Sequence, residues 1–313
     1  GGPPGDRRGG TADGGIHVAT LREWVDGARP RTLPAAIAPV LVGSGFAATA
    51  GAFLPGRALL ALVVALGLQV GVNYANDYSD GVKGTDRVRV GPVRLVGQGL
   101  ARPSAVRAAA WTAMFVAMVA GLVLVVLTAA WWLLAVGVAC VLAAWLYTGG
   151  PAPYGYRGLG EIFVFCFFGL VPVLGTMFVQ ALTVTPAAVF ASAAVGLVTC
   201  DVLVANNLRD IPTDTQTGKR TLAVRLGDRR TRALFAGLMI AAAVATAVAA
   251  LLSTWWLLLG LLGLTWAVRP IRTVRAGAAG RDLISVLQQT GVVVLAYGVT
   301  ATLGLAIAAL LGS

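Results

Sequence analysis

The residues best suited to chemistry form polar clusters in an otherwise apolar chain. The first cluster, GVNYANDYSDGVKGTD, contains Asn73, Asn76, Asp77, Asp80 and Asp86. If the preceding apolar helix continues through Asp80, then Asn73, Asp77 and Asp80 stand at i, i+4 and i+7 and share one face. Asn76 joins that face at i+3. Carboxylate and amide oxygens in such a stripe suit a hard cation such as Mg²⁺.

A second cluster, DVLVANNLRDIPTDTQTGKRTLAVRLGD, repeats the theme further along the chain. Asn206, Asp210 and Asp214 stand at i, i+4 and i+8, again on one helix face. Pro212 is expected to distort or end the helix nearby. Asn and Asp also cap helices and line turns, but two such clusters favour a binding site.

Basic residues follow or accompany both clusters, namely Lys83, Arg209, Lys219 and Arg220. Two facing stripes could hold Mg²⁺ ions that bridge a diphosphate, with Lys and Arg neutralising the remaining charge. A diphosphate head at the end of an apolar segment indicates a substrate with a lipid tail.

The elements that carry these clusters are membrane helices. Of the 313 residues, 58% are hydrophobic and only 12% are charged, whereas soluble domains have about 25% charged residues. The predicted fold is an all-α polytopic membrane protein of about nine transmembrane helices. The predicted spans are Leu33–Phe53, Ala58–Tyr78, Ala105–Leu127, Ala129–Tyr147, Glu161–Leu182, Ala187–Leu208, Ala233–Leu252, Thr254–Val268 and Ile284–Leu311.

The basic residues also predict how the chain is oriented. If the amino terminus lies inside, all but one of the 24 Lys and Arg residues fall on the cytoplasmic side, and only Arg57 falls outside. This bias is typical of the inner loops of membrane proteins. We therefore expect the amino terminus and both clusters on the cytoplasmic face of the cell (inner) membrane, with the carboxyl terminus outside. Lipid headgroups, not nucleic acid, are the expected partners of this charge.

The polar residues 1–23 are predicted to form a disordered leader, because they are rich in Gly and Pro and lack an apolar segment. Residues 24–313 are predicted to form a single transmembrane domain.

The two clusters resemble the aspartate-rich motifs of the UbiA superfamily of intramembrane prenyltransferases. The forms N-x-x-N-D-Y-x-D-x-x-x-G-x-D (Asn73 to Asp86) and N-N-x-R-D-x-x-x-D-x-x-x-G-K-R-T (Asn206 to Thr221) are similar to its menaquinone-pathway branch. The stretches ARPRTLPAAIAPVLVGS and YTGGPAPYGYRGLGE extend the match. The resemblance runs from about Trp24 to the carboxyl end and implies a nine-helix fold around a central cavity.

The resemblance implies an activity. A polyprenyl diphosphate binds with its head between the motifs, Mg²⁺ assists departure of the diphosphate, and 1,4-dihydroxy-2-naphthoate is prenylated with loss of CO₂ to give demethylmenaquinone. Implied metal ligands and catalytic acids are Asp77, Asp80, Asp210 and Asp214. Implied substrate contacts are Asn73, Asn76, Asn206, Lys83, Arg209, Lys219 and Arg220.

Several roles remain open at this stage. Asp86 either completes the metal site or orders its loop. Arg29 and Arg31 either contact substrate or anchor the chain at the membrane surface, and Tyr147 and Arg157 either shape the acceptor pocket or belong to the interface. Glu161 handles protons or caps a helix. Asp201, on the opposite side of its helix from Asp210, is more consistent with a structural partner.

The main alternative is another aromatic acceptor, such as homogentisate or 4-hydroxybenzoate. An ion-coupled transporter is a remote alternative, since transporters need polar groups near the membrane midplane that are reached from both sides. The sequence predicts neither the prenyl chain length nor an oligomeric state.

Overall fold

The computed structural model describes residues 19–84 and 93–312, and within these ranges all regular secondary structure is helical. This confirms the predicted all-α class. We number the α-helices of the described ranges α1 to α12 in chain order. Their bounds are Leu21–Ala28, Pro34–Thr49, Pro55–Lys83, Pro103–Thr128, Leu133–Leu146, Gly160–Phe165, Val171–Ala181, Pro186–Gln216, Leu222–Leu251, Gly260–Thr265, Val268–Arg275 and Asp282–Leu311. A π-helical turn, Cys166–Leu170, joins α6 to α7.

Proline begins several of the helices. Pro34, Pro55, Pro103 and Pro186 stand at the start of α2, α3, α4 and α8. At this position the missing N–H would have no helical partner, and the fixed φ of proline already matches the helix. These residues set the starts of four cavity-forming helices.

The helical region starts earlier than predicted, because α1 begins at Leu21. The Glu23 carboxylate accepts from the Thr20 backbone N–H at 2.7 Å, and Thr20 Oγ1 accepts from the Glu23 N–H at 3.3 Å. This reciprocal capping box stabilises the first turn. Helix α1 thus begins three residues before the predicted domain start at residue 24, and residues 1–18 lie outside the described residues.

Among the described residues, six helical segments are long and apolar enough to cross a membrane: α3, α4, the continuous segment Gly160–Ala181, α8, α9 and α12. The count rises to eight if each of two bent helix pairs is one span. One pair contains α2 and bends by 50°, and the other contains α10 and bends by 43°. The predicted count of nine is not confirmed, since α5 has only 14 residues.

Helix α8 lies at the centre of the packing. Its residues Val195 and Val198 join one apolar cluster with Met239 of α9 and with Val293 and Tyr297 of α12. All five side chains are at most 4% exposed. In a bilayer, close van der Waals packing of this kind holds neighbouring helices together. This core fixes α8, and with it the second polar cluster.

Helices α2 to α8 surround a central cavity of about 1150 Å³. We call the end where α3 and α8 terminate the motif end, and the end where α3 begins the far end. At the far end, Arg57 donates to the carbonyls of Val179 at 2.8 Å and Leu127 at 2.9 Å. Leu54 N–H also donates to Gln180 Oε1 at 3.1 Å. These bonds tie the start of α3 to the ends of α4 and α7.

Candidate active site

The polar face of α3 reaches the cavity through Asn73, Asn76 and Asp80. Their spacing of i, i+3 and i+7 places them on one side of a helix. Asp77 follows Asn76 directly, lies about 100° further round the helix, and is fully buried away from the cavity lining. The predicted stripe of Asn73, Asp77 and Asp80 is therefore corrected, because Asn76 takes the cavity position expected for Asp77.

Asp77 holds a turn of the link between α3 and α4. Its Oδ2 accepts from the Leu95 N–H at 2.7 Å and its Oδ1 from the Val96 N–H at 3.1 Å. The link packs closely, since a Cβ on Gly81 would clash with the Val96 side chain. Charge-assisted bonds from a carboxylate to backbone amides are strong, so Asp77 fixes the turn that begins at Arg94.

Asp80 lies where three parts of the chain converge. Its carboxylate accepts a short hydrogen bond from the Tyr156 hydroxyl. Arg94 Nη2 lies 3.9 Å and Lys219 Nζ 3.7 Å from its oxygens. The Lys219 ammonium also sits 4.4 Å from the centre of the Tyr156 ring. The cavity thus has a carboxylate, a phenol and two cations at one point.

On α8, the residues Asn206, Arg209 and Asp214 line the cavity. Arg209 Nη2 donates to Asn206 Oδ1 at 2.8 Å. Its Nε and Nη2 also bind the two oxygens of Asp210 at 2.7 and 2.9 Å. Asp210 is buried and is absent from the cavity lining. The structure therefore brings Asp214 to the cavity, whereas Asp210 orients the Arg209 guanidinium.

Helix α8 continues through Pro212 and ends about one turn later, at Gln216. Proline leaves a carbonyl one turn earlier without its N–H donor. Around it, Thr213 Oγ1 donates to the Asp210 carbonyl at 3.0 Å and Thr215 Oγ1 to the Ile211 carbonyl at 2.7 Å. These hydroxyls support the last turn, which carries Asp214 to the cavity.

The basic residues at the motif end fall into two groups. Those that line the cavity are Arg22, Arg29, Arg31, Arg94, Arg209 and Lys219. Those that the sequence predicts as substrate contacts but that lie exposed and outside the lining are Lys83, Arg157 and Arg220. Lys83 Nζ instead donates to the Thr148 carbonyl at 2.7 Å. The structure does not bring these three residues to the cavity.

The asparagines of α3 hold neighbouring segments in place. Asn73 Nδ2 donates to Thr32 Oγ1 at 2.9 Å and to the Ala28 carbonyl at 2.8 Å. Asn76 Oδ1 accepts from Thr148 Oγ1 at 2.7 Å. Both amides face the cavity while tying the α1–α2 link and the segment after α5 to α3, so they support the site as well as lining it.

One wall of the cavity is aromatic. Tyr147, Tyr154, Phe163 and Phe167 all line it. Tyr154 meets Tyr147 edge-on with ring centroids 5.4 Å apart and stacks on Phe163 at 3.8 Å, and Phe163 stacks towards Phe167 at 5.8 Å. Burial, and secondarily the nearby Tyr147 hydroxyl, raise the pKa of Tyr154, whose hydroxyl donates to the Ala143 carbonyl at 2.6 Å.

Glu161 stands next to this wall, in the first turn of α6. Its Oε1 accepts from Asn207 Nδ2 at 3.0 Å, and its Oε2 is buried without a hydrogen-bond partner in the described part of the chain. Leu159 occupies the N-cap position of α6, with no side-chain cap bond there. The contact that the Glu161 carboxylate makes is therefore with Asn207 of α8, which differs from the helix-cap role considered for it.

Two other acids were predicted from the sequence. Asp86 falls outside the described residues. Asp201 is completely buried, with 0% relative solvent exposure, and does not line the cavity. The α8 residues that line the cavity nearby are Val202 and Leu203.

The cavity lining fits a divalent cation that is coordinated jointly by protein side chains and a substrate phosphate. Among the described residues, no group of three or more His, Cys, Asp or Glu side chains is placed to hold a metal ion. Two carboxylates, Asp80 and Asp214, nevertheless line the motif end together with the amides of Asn76 and Asn206. Mg²⁺ is commonly held by one or two carboxylates, with waters and substrate phosphates completing its shell.

Beyond the polar residues, the cavity becomes apolar. Its lining towards the far end includes Ala61, Val64, Leu124, Leu133 and Val179. Ala61 and Asp80 are about 28 Å apart along α3 at about 1.5 Å per residue. The volume of about 1150 Å³ exceeds the roughly 300–1,000 Å³ typical of small-molecule pockets. The cavity therefore suits a long amphipathic ligand with an anionic head.

The sequence alone did not indicate three of the polar residues that line the cavity, Arg94, Thr148 and Asn207. No periodic pattern in the sequence marks Arg94, which precedes the turn that Asp77 binds through the Leu95 and Val96 amides. Asn207 is adjacent to Asn206 and seven residues before Asp214, so the helical period could have indicated it. Thr148 carries no comparable signal.

The chain matches proteins of known family over most of its length. Residues 36–286 match the UbiA prenyltransferase family. The chain is 55% identical to the 1,4-dihydroxy-2-naphthoate octaprenyltransferase of Mycobacterium tuberculosis (strain ATCC 25618 / H37Rv), over 90% of this chain and 95% of that protein. It is 39% identical to the enzyme of the same name from Escherichia coli (strain K12), over 82% and 86% of the two chains.

Solved structures of the family share the fold at low sequence identity. A UbiA homologue from Archaeoglobus fulgidus bound to GPP and Mg²⁺ has a TM-score of 0.65 at 13% identity, covering 90% of this chain and 99% of that chain. The apo structure of a UbiA homologue from Aeropyrum pernix K1 has a TM-score of 0.66 at 14% identity, covering 85% and 96%. With its apolar helices, acidic motifs and central cavity, this chain belongs to the UbiA prenyltransferase family and is an integral membrane protein.

Proposed function

We propose that the protein transfers a polyprenyl group from polyprenyl diphosphate to 1,4-dihydroxy-2-naphthoate, with Mg²⁺ as cofactor and loss of CO₂, in menaquinone biosynthesis. The direct product is demethylmenaquinol, the reduced form of demethylmenaquinone. The observation that carries this proposal is the cavity, whose motif end combines Asp80 and Asp214 with cations and whose remaining lining is mainly apolar. The 55% identity to a relative named for this reaction supports the acceptor.

The diphosphate head fits the cationic residues at the motif end. Arg94, Arg209 and Lys219 are each about nine-tenths buried or more, so their charges act in a medium of lower effective dielectric than water. Arg209 Nη1 is buried without a partner among the described residues and is one donor available to a phosphate oxygen. Donors placed where negative charge develops favour departure of the diphosphate.

Asp80 and Asp214 are the proposed Mg²⁺ ligands, because among the described residues they are the two motif carboxylates that line the cavity. Bound Mg²⁺ would supply charge neutralisation of the departing diphosphate. Asp77 and Asp210 support this arrangement through the Leu95 and Val96 amides and through Arg209. Asp86, outside the described residues, stays a proposed additional acid of the site.

The transfer itself needs orientation and a dry cavity. The allylic carbon–oxygen bond breaks with its electrons on the diphosphate, and the ring carbon that bears the carboxylate forms the new carbon–carbon bond. The bond to the carboxylate then breaks, CO₂ leaves, and its electrons restore the aromatic ring. Apolar residues such as Val72 and Phe168 line the cavity and exclude the water that would otherwise capture the allylic cation.

The charge distribution supports an orientation in the cell (inner) membrane. The basic side chains that line the cavity all lie at the motif end, and Arg57 lies at the far end. Those at the motif end are Arg22, Arg29, Arg31, Arg94, Arg209 and Lys219. Basic residues concentrate on the cytoplasmic side of membrane proteins. We therefore place the motif end and the amino terminus at the cytoplasm and the carboxyl-terminal end of α12 outside.

Another aromatic acceptor, such as homogentisate or 4-hydroxybenzoate, would use the same donor site. A transporter is disfavoured, because the start of α3 is tied to α4 and α7 at the far end through Arg57. An alternating-access protein needs its central site to open to both sides.

The test is an assay of purified protein in detergent with Mg²⁺, octaprenyl diphosphate and one acceptor at a time. We expect prenylation of 1,4-dihydroxy-2-naphthoate with release of CO₂ in equal amount, abolished by EDTA and restored by Mg²⁺. Turnover of homogentisate or 4-hydroxybenzoate without turnover of dihydroxynaphthoate would refute the acceptor assignment. Full activity in EDTA would refute the metal assignment.

A further inference from the structure

The aromatic wall and Asn207, which Glu161 holds from outside the cavity lining, form a second polar point in the cavity beside the acids and cations of the motif end. We infer that this is the subsite for the acceptor ring, where Asn207 Oδ1 accepts a hydrogen bond from a ring hydroxyl and Glu161 positions Asn207 for that contact. This inference rests on the proposed function, because it names the part of the site that takes the hydroxylated aromatic substrate.

The orientation of the Asn207 amide follows from its partner. Asn207 Nδ2 donates to Glu161 Oε1 at 3.0 Å. The amide oxygen Oδ1 lies in the same plane, about 120° from Nδ2 around the amide carbon, and is therefore turned away from Glu161. No group in the described part of the chain donates to that oxygen, and Asn207 lines the cavity. A hydroxyl is the complementary ligand group.

Glu161 is itself held firmly against α8. Cys200 Sγ donates to the Glu161 backbone carbonyl at 3.1 Å, two turns before Asn207 on the same side of α8. Glu161 is 9% exposed and Asn207 is 7% exposed. The pair therefore has little freedom to rotate, which is what a positioning contact requires.

The neighbouring wall has the shape that a flat ring needs. Phe163 and Tyr154 are stacked with centroids 3.8 Å apart, and Tyr147 meets Tyr154 edge-on. A Cβ placed on Gly160, the residue before Glu161, would lie 3.7 Å from the Tyr147 hydroxyl oxygen. The wall and the pair are thus adjacent. Aromatic rings stack or meet edge-to-face with one another, and the buried amide gives the ring a fixed direction.

Hydroxyl recognition by a buried amide predicts strong discrimination against rings that lack that hydroxyl, because the amide oxygen would be left without a donor. The prenyl donor carries no hydroxyl, so its affinity should not depend on this pair. A wall residue that only supported the fold would affect both substrates. The two roles are therefore separated by comparing acceptor and donor constants.

The experiment uses full-length enzyme in detergent with Mg²⁺. It measures KM for 1,4-dihydroxy-2-naphthoate at saturating octaprenyl diphosphate and KM for octaprenyl diphosphate at saturating acceptor. It also measures the inhibition constants of 1-hydroxy-2-naphthoate and 4-hydroxy-2-naphthoate, each of which lacks one hydroxyl. We expect the wild type to bind one of these analogues about tenfold more weakly than dihydroxynaphthoate, the effect of one lost hydrogen bond in a buried site. Asn207→Leu should reduce that ratio to about twofold or less.

The Glu161 variants test the positioning role. Glu161→Leu should raise the acceptor KM and reduce the ratio as Asn207→Leu does. Glu161→Gln keeps an oxygen that accepts from Asn207 Nδ2 and should retain the wild-type ratio. Ser192→Ala, a buried polar residue of α8 outside the cavity lining, is the matched control and should change neither constant.

Each outcome decides the question. Equal affinity of the wild type for dihydroxynaphthoate and both analogues overturns the inference, and this measurement needs no variant to fold. An unchanged ratio in Asn207→Leu also overturns it, as does an equal rise in donor and acceptor KM. If the wild type instead prenylates only homogentisate, the proposed function fails, whereas loss of hydroxyl discrimination in Asn207→Leu with that acceptor would still support the subsite.

Discussion

At the residue scale, the motif carboxylates have two different environments. Asp80 and Asp214 line the cavity. Asp77 binds two backbone amides, and Asp210 binds both Nε and Nη2 of Arg209. A buried carboxylate is stable only when such donors surround it. The contacts of each acid therefore indicate its role. Substitutions of the cavity-lining acids should lower activity, whereas substitution of Asp77 should lower stability as well.

Asp80→Asn and Asp214→Asn should each lower kcat/KM by about 100-fold or more, the usual effect of removing a group that stabilises transition-state charge. The Mg²⁺ concentration for half-maximal rate should rise, because a neutral amide is a weaker ligand for a hard cation. Steady-state kinetics over a Mg²⁺ titration provide the measurement. Asp228→Asn, an exposed acid paired with Arg232 at 2.6 Å, is the control. Near-normal activity in either cavity variant would contradict the proposed metal site.

Asp77→Ala should lose stability as well as activity. The Leu95 and Val96 amides would lose their carboxylate acceptor, and each unsatisfied buried group costs about 1–3 kcal/mol. Thermal unfolding in detergent should show a fall of several degrees, at roughly 2–4 °C per kcal/mol for a mid-sized domain. Asp80→Ala should not show the same loss. A wild-type melting temperature for Asp77→Ala would mean that the turn does not depend on this carboxylate.

At the element scale, the long helices follow from the sequence and their bends do not. Apolar runs of about 20 residues indicate a spanning helix, and α3, α4, α8, α9 and α12 confirm this. The bend before α2 depends on how Asn73 binds Thr32 and Ala28, a contact between segments that no local period reveals. Likewise, helical periodicity indicated a polar face on α3. It did not indicate that Asp77 faces away from the cavity and binds the turn after Arg94.

A close helix contact provides a prediction at this scale. A Cβ on Gly169 would clash with the backbone of Gly196, so the π-helical turn approaches α8 only because both residues are glycine. Gly169→Ala should destabilise the protein by about 1–3 kcal/mol, as overpacking commonly does. Gly237→Ala on α9, where a Cβ meets nothing within 4 Å, should be neutral or stabilising by up to about 1 kcal/mol. Thermal unfolding of both variants checks this, and equal stabilities would contradict it.

At the scale of the whole molecule, the cavity lining is charged and polar at the motif end and apolar towards the far end. The acids and cations of the motif end are predictable from composition and spacing, since two matching clusters flank an apolar chain. The shape of the cavity is not, because it depends on which small residues leave space between helices. Gly121 and Gly137 line it, and a Cβ on Gly137 meets nothing within 4 Å. Sequence alone does not distinguish such a glycine from one that faces lipid.

The space beside Gly137 should determine the length of the prenyl chain that the enzyme accepts in its diphosphate donor. Gly137 lies one turn from the start of α5, near the far end, so a bulky residue there would fill the region reached by the terminal units of a long chain. With octaprenyl and geranylgeranyl diphosphate in equal amounts, Gly137→Phe should shift the product ratio towards the shorter chain by about tenfold, the effect of removing one or two methylene contacts or more. Gly237→Phe, outside the cavity lining, controls for added bulk. Mass spectrometry of the products measures the ratio, and an unchanged ratio in Gly137→Phe would show that the donor tail leaves the cavity before it reaches the far end.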